Sequence, residues 1–304
     1  MPRIPDVTLA NVRADRVKQV RALSGRPARS RYGQFLVEGP QGVREAVRHA
    51  PGDVRDVYLT PAAAERYDEI VAAAQDAGLF VHLGTPEVLA AMSADAQGVL
   101  AVVRTPQPGV GLVETLRGLG GSSRPLLVAV LANVRDPGNA GTVIRASDAA
   151  GADLVVLAGE SVDLHNPKVV RSTAGSLFHL PVVAEASLAD AAGALRVAGA
   201  TVLAADGSGD HDLDDLLDVA GGKASVALRP AQDPRAGTAV PDLAASTAWV
   251  FGNEAWGLPE ADRALADAVV RVPIRGRAES LNLATAATVC LYASSRAQRE
   301  VRAG

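Results

Sequence analysis

The stretch PLLVAVLANVRDPGNAGTVIRAS, residues 125–147, decides the fold class. Its first eight residues form a continuous apolar run, which suits a strand covered on both faces and therefore a parallel sheet. Asp136-Pro137-Gly138 then forces a turn. Asn139 is expected to cap the following helix, Gly141 lets that helix pack closely, and Arg145 lies on it one and a half turns past Asn139. Downstream, further strands are expected at 153–157, 181–184, 200–205, 224–228, 247–251 and 269–272, with helices between most of them. The Pro-rich polar segment 229–247 reads as a surface loop. A last helix spans 280–301, with Ser280 as its N-cap and a small-residue face of Ala284, Ala286, Ala287 and Ala293.

Upstream the chain alternates on a smaller scale. A short amphipathic helix over 9–23 and a basic turn at 24–31 precede strands at 35–39, 54–59, 79–83 and 98–103, which alternate with helices at 41–49, 61–77 and 86–92. The expected architecture is α/β throughout: an N-terminal α/β domain over 1–104, a linker over 105–124 rich in Gly, Pro and Ser, and a parallel-sheet domain over 125–304.

The 304 residues are 48% apolar, which excludes disorder as the main state. No apolar run reaches the ~18–20 residues of a membrane span, and the N-terminus lacks a signal-peptide layout. A cytoplasmic protein without membrane attachment is expected. Cys290 stands alone, so neither a disulfide nor a thiolate cluster holds the fold; it reads as a core or interface residue.

The net charge of −4 argues against a nucleic-acid partner only as an average. Residues 1–50 carry ten basic side chains against four acidic ones, a net +6, leaving −10 on the remainder. Only three of the 30 basic residues are lysine, and arginine is the side chain that forks onto phosphate.

Several chemistries are absent from the pattern. Gly222-Lys223 lacks the rest of a phosphate loop, no GxGxxG joins a strand to a helix, and no HExxH or GxSxG occurs. Five scattered histidines give no ligand cluster, and Asp210, His211, Asp212, Asp214 and Asp215 read as a solvated helix start, so no metal is expected.

Three segments place polar and glycine residues just after strands, the edge at which open α/β sheets bind ligands. They are NVRDPGNAGTVIRAS (133–147), VFGNEAWGLP (250–259) and VPIRGRAESLNLATAA (272–287). Arg145 and Asn139 in the first suit an anionic or hydroxyl-bearing substrate. In the second, Gly252 and Gly257 allow a ligand to lie against main chain, while Glu254, beside Asn253, can receive protons or hydrogen bonds. Glu279, Ser280 and Asn282 in the third sit at the last helix's start. One shared site is the inference. Trp256 reads as a packing residue.

In order and spacing these segments resemble the three signature motifs of the SpoU (TrmH-type) branch of the SPOUT RNA methyltransferases, over residues of about 125–300. NPKVVRSTAGSLFHLPV (166–182) resembles the family's intermediate region, and RYGQFLVEGPQGVREAV (31–47) with QGVLAVV (97–103) resembles, more loosely, the substrate-binding domain that often precedes the catalytic one. Ala146 and Ala284 stand where hydroxyl residues are frequent in the family, and the 229–247 loop is longer than expected.

The resemblance implies methyl transfer from S-adenosylmethionine to a ribose 2′-hydroxyl of RNA, ribosomal in preference to transfer RNA. It implies a trefoil-knotted C-terminal domain that dimerises through the last helix. The cofactor is then expected at Gly252, Asn253, Gly257, Val272, Ile274, Leu281 and Leu283, with Leu203 and Ala204 contributing from a strand end. Arg145 becomes the main catalytic residue, completed by Asn139, Glu254, Ser280 and Asn282. Because a guanidinium is a poor base, Arg145 is expected to fix the target phosphate and polarise the hydroxyl. Arg13, Arg16, Arg21, Arg31, Lys168 and Arg171 are expected to grip the RNA. A silent RNA-binding or ribosome-assembly paralogue is the alternative, and the intact polar set speaks against it.

Overall fold

The computed structural model describes residues 8–106, 111–120, 124–185, 187–222 and 240–299. The expected strand at 224–228 and most of the 229–247 loop lie outside these, as does Arg3. The chain divides into two units. One is built from the N-terminal residues and Asp163–His179, the other from the intervening segment and the C-terminal part.

In the N-terminal unit, β1 (Thr8–Leu9), β2 (Gln34–Glu38), β3 (Val54–Leu59), β4 (Phe80–Gly84) and β5 (Val99–Arg104) form a mixed sheet of order β1-β4-β3-β5-β2. The period-2 alternation of these strands feeds two cores. Phe35, Val37, Val57, Leu59, Ala101 and Val103 face the helices Pro40–His49 and Asp68–Asp76, while Leu36, Tyr58, Leu100 and Val102 face Val17, Val20, Leu23, Leu89 and Met92.

Local structure here differs from the sequence reading in three places, one being the helix expected over 61–77, which non-helical backbone at Tyr67 breaks into Pro61–Arg66 and Asp68–Asp76. The first helix is confined to Asp15–Ala22, because Thr8–Leu9 pairs with β4 and Leu9 accepts a hydrogen bond from the Thr85 amide. The basic turn is a second helix, Arg26–Tyr32, with a proline in its first turn and Gly33 at φ +58° ending it.

The C-terminal unit is a seven-stranded, wholly parallel sheet: β6 (Leu127–Ala132), β7 (Leu154–Ala158), β8 (Val182–Glu185), β9 (Thr201–Ala205), β10 (His211–Asp212), β11 (Thr247–Phe251) and β12 (Ala268–Arg271). Every residue of β6 is buried, as a strand sandwiched between helix layers requires. Helix Leu112–Leu119, within the stretch read as linker, inserts Leu112 and Leu116 into one of those layers. On the C-terminal helix Leu283–Ala297, Ser294 accepts a 2.9 Å hydrogen bond from the fully buried Trp249 indole. Cys290 is fully buried on the same helix, and burial pushes its thiol up to about 12, which removes thiolate chemistry.

The sheet order is β10-β12-β9-β11-β6-β7-β8. The chain runs outward from β6 to β8, returns to β9 on the other side, and later fills the gap with β11. That reversal is the crevice at which doubly wound sheets take ligands.

Asp163–His179 belongs by its contacts to the N-terminal unit. Helix Pro167–Ser172 lies on β2, with Val170 in that unit's core. Asp163 receives the Arg29 guanidinium at 2.7 Å, and the His165 ring stands 4.5 Å from the Phe35 ring. Burial holds His165 below its ordinary 6.5, with Arg29 pushing the same way against Asp163. The unfolded chain therefore takes up this proton first, so the contribution is complete above pH 6.5 and declines as pH falls below it. Denaturation midpoints of the N-terminal unit are expected to fall between pH 7 and 5.5, and His165→Gln should flatten that dependence.

Candidate active site at the strand ends

Four loops leave the C-terminal ends of β6, β9, β11 and β12, and hydrogen bonds tie the three motif segments together. Phe251 runs into Gly252, where an added β-carbon would overlap the Gly257 carbonyl and sit 2.6 Å from the Leu258 amide nitrogen. Only glycine permits this approach. Asn253 and Gly257 then exchange both main-chain hydrogen bonds, at 3.0 and 2.9 Å, and Gly257 turns at φ +66°. The buried Asn253 side chain donates to the Asn133 carbonyl at 2.7 Å and accepts from the Ala255 amide.

Glu254 reaches the same first segment. Its carboxylate accepts from the Asp136 amide at 3.1 Å and the Arg135 amide at 3.4 Å. Asn282 closes the arrangement by donating to Asn139 Oδ1 at 3.2 Å. Asn139 is not the helix cap it was expected to be: Asp136 caps Pro137–Ala149 by accepting from the Asn139 amide at 2.8 Å. Ser280 likewise is not the cap of the last helix, which begins at Leu283 with Asn282 accepting from the Ala284 and Thr285 amides. Ser280 is exposed and makes no hydrogen bond among the described residues.

Arg145 stands apart from that network, exposed on the side of its helix opposite the buried Ala140, Val143, Ile144 and Ser147, without an ion-pair or hydrogen-bond partner among the described residues. Of the residues expected to hold the cofactor, Gly257 is exposed, Ile274 and Leu281 keep 39% and 36% of their surface, and Val272 and Leu283 are half-buried. Leu203 and Ala204 are fully enclosed in the sheet and offer a ligand no surface; the accessible end of β9 is Ala205 and Asp206. Register explains this, since β9 is flanked on both sides by β11 and β12.

The basic residues separate into two kinds. Arg13, Arg21 and Arg31 are exposed, Lys168 is exposed, and Arg16 is exposed with its guanidinium 3.2 Å from the His82 ring. Arg171 is instead pinned between Glu38 at 2.7 Å and Asp95 at 2.6 Å, which makes it a structural cation. Arg29 is buried and bonded to the Leu23 and Ser24 carbonyls as well as Asp163.

Sequence reading missed Arg135 and misplaced Trp256. Trp256 is 52% exposed, and the Arg135 guanidinium lies 5.4 Å from its ring centroid while bonding Glu160 at 2.5 Å. The signal available was an arginine beside the Asp-Pro-Gly turn. Histidines separated in sequence also meet: Glu45, His49 and His179 form one cluster in the N-terminal unit. Asp212 caps helix Leu213–Ala220 by accepting from the Asp214 amide, the helix start that the sequence indicated.

A parallel sheet with glycine-lined loops knitted at its strand ends is the framework of a ligand-binding α/β domain. Residues 126–292 match the SpoU rRNA Methylase family, and residues 36–109 match the RNA 2'-O ribose methyltransferase substrate binding family. A 23S rRNA (uridine(2479)-2'-O)-methyltransferase of Streptomyces viridochromogenes is 32% identical over 97% of this chain and 94% of its own. The 23S rRNA (guanosine(2553)-2'-O)-methyltransferase RlmP of Bacillus subtilis is 28% identical over 93% and 97%. The crystal structure of the SpoU methyltransferase AviRb from Streptomyces viridochromogenes in complex with AdoMet superposes with a TM-score of 0.72 at 30% identity, covering 96% of this chain and all of that one. The chain belongs to the SpoU methylase family.

Asn253→Ala would leave the Asn133 carbonyl and Ala255 amide without their partner. It is expected to lower stability by about 1–3 kcal/mol, measured by chemical denaturation. A change under about 0.5 kcal/mol would show that the loops hold together without this side chain.

Proposed function

We propose that this protein transfers a methyl group from S-adenosylmethionine to a ribose 2′-hydroxyl of ribosomal RNA. The observation that carries the reading is the joining of the three family segments at one sheet edge, through Asn253 to Asn133, Glu254 to Asp136, and Asn282 to Asn139. Relatives that match this chain nearly end to end are named as 23S rRNA 2'-O-methyltransferases, and the AviRb structure contains AdoMet.

The residues present fit that cofactor. Ile274 and Leu281, in the segment that leads from β12 to the last helix, are large aliphatic side chains left over one-third exposed, and Gly257 in the loop after β11 exposes main chain, so the residues offer apolar and main-chain surface rather than a charged fingerprint. Gly257, Val272, Ile274, Leu281 and Leu283 would hold it, whereas Gly252 and Asn253 are buried with the Asn253 polar groups already paired, and support the loop from behind. When bound, it supplies an electrophilic sulfonium methyl group.

The chain's own task is to align a hydroxyl with that methyl and favour loss of the hydroxyl proton. Glu254 is committed to the Asp136 and Arg135 amides, so its role is to fix the first loop. Asn139 and Asn282 orient one another and present their remaining polar groups at the edge. Arg145, unpaired among the described residues, can bind the phosphate next to the target ribose and polarise its hydroxyl. Ser280 is available to the same substrate. Arg13, Arg16, Arg21 and Arg31 form an exposed basic surface for RNA on the N-terminal unit.

Three finer readings accompany this one. The chain passes from β11 across β9 to β12, then returns so that helix Leu283–Ala297 packs on β11, β6 and helix Pro137–Ala149; that path supports a trefoil knot. Val289 and Tyr292 on that helix are 40% and 49% exposed, an apolar face that supports a homodimer. No helix among the described residues is long and apolar enough to cross a membrane, and an rRNA target supports a cytoplasmic location.

Arg145→Ala is expected to lower methyl incorporation into rRNA by about a hundredfold or more while leaving S-adenosylmethionine affinity unchanged. Near-normal transfer at saturating cofactor would overturn its assignment. Val289→Glu is expected to shift the protein from dimer to monomer in light-scattering chromatography.

A further inference from the structure

The N-terminal unit holds a cluster of ligating side chains that the methyl-transfer reaction does not use. Glu45 and His49 lie one turn apart on helix Pro40–His49, and His179 ends the segment Asp163–His179. Glu45 Oε2 stands 3.3 Å from His49 Nε2 and 3.2 Å from His179 Nε2, and the two imidazole centroids are 4.7 Å apart with the rings at 71°. The ligating atoms of all three residues lie within 4.8 Å of one another.

Metal–nitrogen and metal–oxygen bonds of about 2.0–2.2 Å at tetrahedral angles separate neighbouring donors by roughly 3.3–3.5 Å. The Glu45–His49 separation of 3.3 Å matches that edge, and the Glu45–His179 separation of 3.2 Å, which is of hydrogen-bond length, lies just below it. We infer that Glu45, His49 and His179 form a binding site for a divalent transition-metal ion of the zinc type, with the remaining coordination position open to water. Two imidazoles and one carboxylate suit zinc, cobalt or nickel, whereas magnesium and calcium favour all-oxygen shells.

Two features prepare the site. Gly175 turns at φ +102°, and a β-carbon there would come within 2.5 Å of Glu45 Cγ, so glycine lets the incoming segment press against the Glu45 stem. The Glu45 side chain is only 19% exposed, whereas His49 at 49% has freedom to close the third edge. An ion here would clip Asp163–His179 onto helix Pro40–His49, adding a cross-link to the Asp163–Arg29 and Arg171–Glu38 ion pairs.

The test uses tag-free, full-length protein stripped with a chelator and titrated with zinc by calorimetry and with cobalt by visible absorption. The expected result is one equivalent bound, a tetrahedral cobalt spectrum, and slower hydrogen exchange over residues 167–179 when zinc is added. His49→Ala and His179→Ala should each weaken binding by about tenfold or more. Unchanged thermal unfolding in chelator would show that the variants are folded. His49, being half exposed, supplies the deciding variant if His179→Ala does not fold. Absence of stoichiometric binding, or binding of equal strength in His49→Ala, would overturn the site.

Discussion

The candidate active site depends on one steric constraint: at the end of β11 the chain folds back so closely that Gly252 has no room for a β-carbon against Gly257 and Leu258. That closeness lets Asn253 and Gly257 pair through main chain and turns the Asn253 side chain towards the Asn133 carbonyl. Two loops separated by over a hundred residues are thereby joined first through a neutral amide side chain. Glu254 adds two amide contacts from the same short turn, so the β11 loop serves as the buckle of the edge.

The buckle is useful because of the sheet order. β11 lies between β6 and β9, placing its loop beside the end of β6. The enclosed position of β11 also demands cover on both faces, and the Trp249 indole meets this on one side by bonding Ser294 of the last helix. The same helix begins at Asn282, whose side chain both caps it and reaches Asn139. Core packing and site geometry are therefore consequences of one arrangement.

Charge follows a different logic in the N-terminal unit. The +6 concentrated in the first fifty residues is not uniformly a binding surface, since Arg29 is consumed by Asp163 and by two main-chain carbonyls, and Arg44 by Glu69. Arg13, Arg16, Arg21 and Arg31 remain exposed. Arg171, which sequence pattern placed with the RNA-facing residues, neutralises the buried Glu38. A charge count cannot separate these roles because pairing depends on which carboxylates the fold brings near.

Sequence by itself pointed to the parallel sheet, since a short unbroken apolar run between turn signals, repeated in alternation with helices, suits strands covered on both faces, and it indicated the strand-end position of all three motif segments. Glycines at 252 and 257 were legible as places of close approach to main chain, but the space that the sequence reading gave to a ligand is taken at Gly252 by the Gly257 carbonyl and the Leu258 amide. Only the tertiary structure decided which polar groups are spent and which are free. Asp136 rather than Asn139 takes the cap, Glu254 is held by amides while Arg145 stays unpaired, Leu203 and Ala204 disappear between neighbouring strands, and Trp256 faces solvent beside Arg135. It also assembled Glu45, His49 and His179, whose separation in sequence hides their meeting. Periodicity reports burial along one element, whereas hydrogen-bond partners and ligand clusters depend on distances between elements that only folding sets.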